Sequence, residues 1–235
     1  MNYEQKNGFS LMEVLLAIGI LSIGMIFIAG VFPAAIYMTT VSTEQSIGAA
    51  AADEAFAKIK IYDVNFTSPR WPANPTIECI DFIEVWKFAP LLIDPNEFFY
   101  PSTNVERQYY WSALCRWINP ATSERSVQVT VFVCRKVGSG TNWQAPVLVG
   151  VSKFSNNVLQ IEANKETWIN DGYTIVDNLT GHIYRVLERD SSIQNRIILD
   201  RQWQGNPTGV VWVVPAPAGG GRYPCVAVYQ KVIRF

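Results

Sequence analysis

Charge is scarce in this chain. Of 235 residues only 17% are charged, and the formal net charge is −1, against about 25% charged residues in an average soluble protein. The lack of a basic excess argues against an electrostatic nucleic-acid binder. Histidine occurs once, at His182, so a catalytic triad or a zinc centre would lack the positioned imidazoles it needs. The four cysteines show no CxxC spacing, which argues against zinc-ribbon and thioredoxin-like sites. Gly219-Gly220-Gly221 lacks a following Lys-Ser/Thr and reads as a flexible turn rather than a phosphate loop. Asp53-Glu54 and Asp200-Arg201 read as solvated charges. No metal site, cofactor or catalytic residue is expected. What the chain does have is 49% hydrophobic and 13% aromatic residues, with eight Trp. That excludes a disordered tail, and the length allows one or two domains with a real core.

The missing charge is concentrated in one place. From Val14 to Thr43 there are 30 residues without a charge, 21 of them hydrophobic. The densest part, Val14–Met38, is 25 residues long, and about 20 suffice to cross a bilayer as a helix. No second run of this length follows, so the chain crosses a membrane at most once. A cleaved secretory signal fits poorly. Its apolar stretch would be about 7–15 residues, behind a basic leader, whereas Met1–Gly8 holds Glu4 beside Lys6. A plain anchor fits the length but leaves Glu13 unexplained. An ionisable group costs roughly 2.5–3.5 kcal/mol at the bilayer centre and usually has a partner.

Gly8-Phe9-Ser10-Leu11-Met12-Glu13, running straight into Val14-Leu15-Leu16-Ala17-Ile18, resembles the processing motif of type IV pilins and type II secretion pseudopilins. The resemblance covers roughly the first 35 residues. It implies that a prepilin peptidase cuts between Gly8 and Phe9 and methylates the Phe9 amine. It also implies that Glu13 docks the subunit into a filament of other pilin or pseudopilin subunits. The chemistry is coherent without the family. Cutting exposes an α-amine with a pKa near 7.7–8.0, largely cationic at neutral pH. A neighbouring cation and the Glu13 carboxylate then lower each other's cost of leaving water.

Pro33 removes one helical hydrogen bond, so a kink or loosened turn is expected near Gly30–Pro33. Beyond it, Met38, Val41, Gln45, Gly48, Ala52, Ala55, Ile59 and Tyr62 follow 3/4 spacing and form a mostly apolar stripe. The C-terminal half of this helix is expected to pack on its own head. Asn65–Pro75, with three prolines, reads as a linker.

In the head, Tyr109–Ile118 and Ser126–Lys136 alternate with period two around Asn119–Ser123 and predict a β-hairpin. Trp111, Ala113, Cys115 and Trp117 share one of its faces. Residues 76–106 read as an irregular loop with short elements. Past Gly138-Ser139-Gly140, seven strand-like runs begin with Val147–Val151 and end with Val226–Phe235. They predict a meander or partly closed barrel. Cys115 and Cys134, on the two hairpin strands, are the candidate disulfide. Four cysteines allow three connectivities, however, and buried free thiols fit equally well. Exposed aromatics such as Tyr109, Tyr110, Trp143, Trp168 and Trp203 read as packing rather than as a binding face.

The expected fold class is α+β: a long N-terminal transmembrane helix, its C-terminal half on an antiparallel β head, then a small all-β module. The expected boundaries are a leader at 1–8, the helix at 9–64 with its membrane part at 9–36, the head at 65–140 and the second module at 141–235. The expected function is that of a non-enzymatic filament subunit, minor pilin or pseudopilin. Its partners are other subunits, the prepilin peptidase and membrane lipid, with no nucleic acid evident. The chain is placed as a single-pass protein of the bacterial inner membrane with the head on the extracytoplasmic side. The rival reading is a membrane-anchored β-domain protein that binds an envelope component without polymerising.

Overall fold

The computed structural model describes residues 9–61, 78–82, 95–101, 107–118, 126–136, 144–190, 193, 195–217 and 222–234. The expected leader with Gly8, the linker at 65–75, the hairpin turn at 119–123, Trp143 and the glycines at 138–140 and 219–221 lie outside them. The chain divides into two compact units, Met1–Ser46 and Ile47–Phe235.

In the first unit the chain is helical from Leu11, and the helix α1 (Leu11–Ile61) is unbroken over 51 residues. It continues through Pro33, so any loosening there does not interrupt it. Its hydroxyls are satisfied within the helix. Ser22 donates to the Ile18 carbonyl at 2.8 Å, Thr39 to Ala35 and Thr40 to Ile36, both at 2.9 Å. This back-bonding removes the cost of carrying a polar group along an apolar surface. The side chains from Phe9 to Met38 are exposed, and the helix is long and apolar enough to cross a membrane.

In the second unit α1 buries Gly48, Ala51, Ala52, Ala55, Phe56 and Ile59. The expected stripe is therefore confirmed from Gly48 to Ile59 and gains Ala51 and Phe56, whereas Met38 and Gln45 are exposed and Tyr62 lies outside the described residues. Small residues at four of the six positions let the helix lie close to a sheet. That sheet comprises β1 (Ile80–Asp81), β2 (Phe99–Tyr100), β3 (Tyr109–Trp117), β4 (Ser126–Arg135) and the last strand of the chain, numbered β11 below. The predicted hairpin is β3–β4, with Trp111 opposite Val133 and Cys115 opposite Val129. Trp111, Ala113 and Cys115 join Val127, Val129, Val131 and Val133 in the core beneath the helix. Lys58 bridges Glu54 (2.7 Å) and Glu97 (3.0 Å), tying α1 to the short turn Pro95–Phe98. Burial would lower the Lys58 pKa, but the two carboxylates more than offset it and the net shift is upward.

The predicted second module is a closed six-stranded barrel. Its strands are β5 (Val147–Lys153), β6 (Val158–Ile161), β7 (Thr174–Asp177), β8 (Ile183–Arg189), β9 (Arg196–Leu199) and β10 (Thr208–Val213), in the order β10-β5-β6-β9-β8-β7. Alternate residues point inward and fill it, among them Val149, Leu159, Ile175, Tyr184, Ile197 and Val211. One expectation is corrected. The last strand, β11 (Cys225–Arg234), does not belong with the 141–235 module. It returns to pair with β4, from Cys225 opposite Cys134 to Arg234 opposite Ser126. The barrel is thus inserted between two adjacent strands of the first sheet. The sheet face away from the helix packs on it, with Leu114, Phe132 and Cys134 against Val176, Trp212 and Val214.

A polar clamp reinforces that contact at the β7–β8 turn. Arg116 donates to Gln128 (2.8 Å) and to the Leu179 carbonyl (3.4 Å), and Gln230 donates to the Gly181 carbonyl (2.7 Å). Gly181 has φ +70°, and a Cβ there would stand 2.8 Å from Gln128 Oε1. Gly181→Ala therefore combines a left-handed backbone with a crowded clamp, and a loss of about 2 kcal/mol is expected. That corresponds to a Tm lower by roughly 4–8 °C for a unit of this size. Gly209→Ala, which would meet nothing within 4 Å, is the control in the same melting experiment and should be close to neutral.

Candidate functional site

The N-terminal end of α1 is built by Ser10. Its hydroxyl accepts the Met12 N–H at 3.3 Å, and its carbonyl accepts Glu13 N–H at 3.0 Å and Val14 N–H at 3.2 Å. Ser10 is thus the N-cap, satisfying donors that would otherwise be orphaned. Glu13 falls at the third helical position, so Ser10-Leu11-Met12-Glu13 has the spacing of a capping box. A carboxylate in the first turn also complements the positive end of the helix dipole. This local role of Glu13 was legible as S-x-x-E and adds to the docking role that the resemblance implies.

Phe9 precedes the helix and is 83% exposed. One helical turn separates it from Glu13, which is exposed as well. Behind them the face of α1 is apolar in every direction: Leu11, Leu15, Ile18, Leu21, Met25 and Phe32 are all exposed. In isolation this surface has no cover. A carboxylate, an aromatic residue and about seven turns of bare apolar helix suit two surroundings, lipid and other helices of the same kind.

His182 is exposed beside the β7–β8 turn. Among the described residues no three His, Cys, Asp or Glu side chains gather where a metal ion could be held. Tyr109, Tyr110 and Trp203 are buried and Trp168 packs against the barrel core, as the packing reading expects. The candidate disulfide between Cys115 and Cys134 is overturned by register. Cys115 lies opposite Val129 and Cys134 opposite Tyr110, five positions along the ladder. Because side chains alternate, the two also face opposite sides of the sheet: Cys115 lies in the core under α1 and Cys134 in the core against the barrel. All four cysteines are buried.

The prokaryotic N-terminal methylation motif is matched over residues 5–29. No curated protein and no solved structure matches this chain. The motif supports a subunit of the pilin or pseudopilin type, and together with the long apolar helix it supports anchoring in a membrane.

Proposed function

We propose that this chain, with a prepilin-type N-terminus on a β-rich head, is a subunit of a type IV pilus-like or type II secretion filament. It is cut between Gly8 and Phe9 by a prepilin peptidase, N-methylated at Phe9 and held in the inner membrane by 9–36 with the head outside. The subunit enters the filament through the same apolar helix, with Glu13 meeting the Phe9 amine of a neighbouring subunit. The chain itself has no catalytic part in this.

The observation that carries the reading is the order of residues at one point. Gly8, Phe9, Ser10, Leu11, Met12 and Glu13 stand in sequence, the methylation motif is matched across them, and 30 uncharged residues follow. The barrel inserted between β4 and β11 makes the head larger than a helix and one sheet require. That favours a specialised, low-copy subunit over the main building block.

N-terminal mass analysis of the protein from producing cells tests this. The expected chain begins at Phe9 and is one methyl group heavier than the unmodified sequence. An intact Met1, or a start at Ile36 after Ala34-Ala35, the small pair where a secretory signal would be cut, overturns the proposal.

A further inference from the structure

The first sheet carries a cysteine pair that the hairpin reading did not anticipate. Cys134 on β4 lies directly opposite Cys225 on β11. The neighbouring pair, Arg135 and Pro224, is the hydrogen-bonded one, with Arg135 N–H donating to the Pro224 carbonyl at 2.8 Å. Cys134 and Cys225 are therefore a non-hydrogen-bonded pair, beside the register shift between Cys225 and Ala227; in a regular ladder such a position brings the Cα atoms closest, about 4.5 Å apart. That lies inside the range a disulfide spans, about 4.4–6.8 Å. Both side chains point to the same side, into the core shared by the sheet and the barrel.

We propose that Cys134 and Cys225 form a disulfide in the mature protein, closing the chain around the whole barrel insertion. The bond ties together the two strands through which the chain leaves for the barrel and returns, and 90 residues lie between the two sulfurs. The other two cysteines stay as thiols. Ile80 is the residue opposite Cys115, so Cys79, one residue before it, points to the other face of the sheet. Burial pushes the Cys79 thiol up to about 12 and raises the Cys115 and Cys134 thiols as well, so it is the facing positions of Cys134 and Cys225, and not thiolate character, that select the pair.

The reaction balances as a thiol–disulfide exchange. One cysteine thiolate attacks an external disulfide carried by a thiol oxidoreductase and releases one of its sulfurs as a thiol. The second cysteine thiolate then attacks the mixed disulfide and releases the other. The protein loses two protons and two electrons, and the oxidant ends as a dithiol. Cys134 is 1% and Cys225 6% exposed, so the exchange belongs to folding, before β11 closes over the core.

The proposal rests on the extracytoplasmic head of the functional reading, because disulfides persist in oxidising compartments. Tryptic mapping tests both and separates them. The four cysteines fall in four different peptides, at 71–87, 108–116, 126–135 and 223–231. Full-length protein from producing cells, alkylated on lysis, is expected to give 126–135 linked to 223–231, with Cys79 and Cys115 alkylated. Without reductant the denatured chain should migrate faster. The same protein, purified in detergent, reduced, unfolded and refolded in a glutathione redox buffer, should form the same link. Cys225→Ala should abolish it and Cys115→Ala should preserve it. Any other linkage, or four alkylated thiols in both samples, overturns the pairing. Four thiols in the cellular sample with the correct link after refolding overturns the proposal through its location: the head would then sit in a reducing compartment.

Discussion

Glu13→Ala is expected to yield a subunit that is still cut and still held in the membrane but is missing from filaments. Glu13 is the only charge from Phe9 to Thr43. Removing it makes the helix more apolar, so retention in lipid improves rather than fails. In the proposed filament, what is lost is the partner of the neighbouring amine. Breaking one side of a buried ion pair costs about 3–5 kcal/mol, which weakens incorporation roughly 100- to 4,000-fold at about 1.4 kcal/mol per decade. Immunoblots of sheared filaments against membranes would read the split. Incorporation at the wild-type level would sink the docking role. Ser10→Ala separates docking from capping, because it removes the cap observed at the helix start at a cost of about 1 kcal/mol. If Glu13 only capped the helix, the two variants would behave alike. Docking predicts a large defect for Glu13→Ala and a small one for Ser10→Ala.

Much of this architecture was legible because it is written along the chain. The uncharged run and the acid at its mouth are one-dimensional features. The 3/4 spacing of Gly48, Ala52, Ala55 and Ile59 placed the buried face of α1, and strict alternation placed Trp111, Ala113 and Cys115 together. What stayed hidden depends on which strands meet. Nothing in Val226–Ile233 distinguishes a barrel strand from a partner of β4, since both sheets are antiparallel and rich in valine. Barrel closure likewise rests on β6–β9 and β10–β7, pairs between strands that are not consecutive in the chain. The cysteines show the same limit most sharply. Being on adjacent strands made Cys115 and Cys134 look like neighbours. Register parity put them on opposite faces, while a residue 91 positions further on came to lie beside Cys134. At the candidate site the order of residues carried nearly everything, the Ser10 cap included, whose S-x-x-E signal went unused.

Trp111→Ala is expected to show whether the sheet and the barrel stand or fall together. Trp111 is 1% exposed, its ring lies 4.9 Å from Phe98 and 6.2 Å from Phe82, and its indole N–H donates to the Glu97 carbonyl at 3.2 Å. Truncation empties the centre of the core beneath α1, at about 3–5 kcal/mol for a buried Trp or Phe. That is a large fraction of a typical total of about 5–15 kcal/mol, and Tm should fall by roughly 6–20 °C. Trp111→Phe keeps most of the ring packing and loses the hydrogen bond, so a drop nearer 1 kcal/mol is expected. The barrel has its own core, which contains none of the residues around Trp111. Among the described residues it meets the sheet from the opposite face, through Leu114, Phe132 and the Gly181 clamp. Hydrogen exchange on Trp111→Ala should therefore show β3, β4 and residues 47–61 of α1 losing protection while β5–β9 keep theirs. Uniform loss would mean that the sheet and the barrel unfold as one cooperative unit. A Tm within 2 °C of wild type would mean that the helix-side core collapses around the gap. The separate cores favour the first outcome, because a cavity at Trp111 removes no atom that the barrel interior touches.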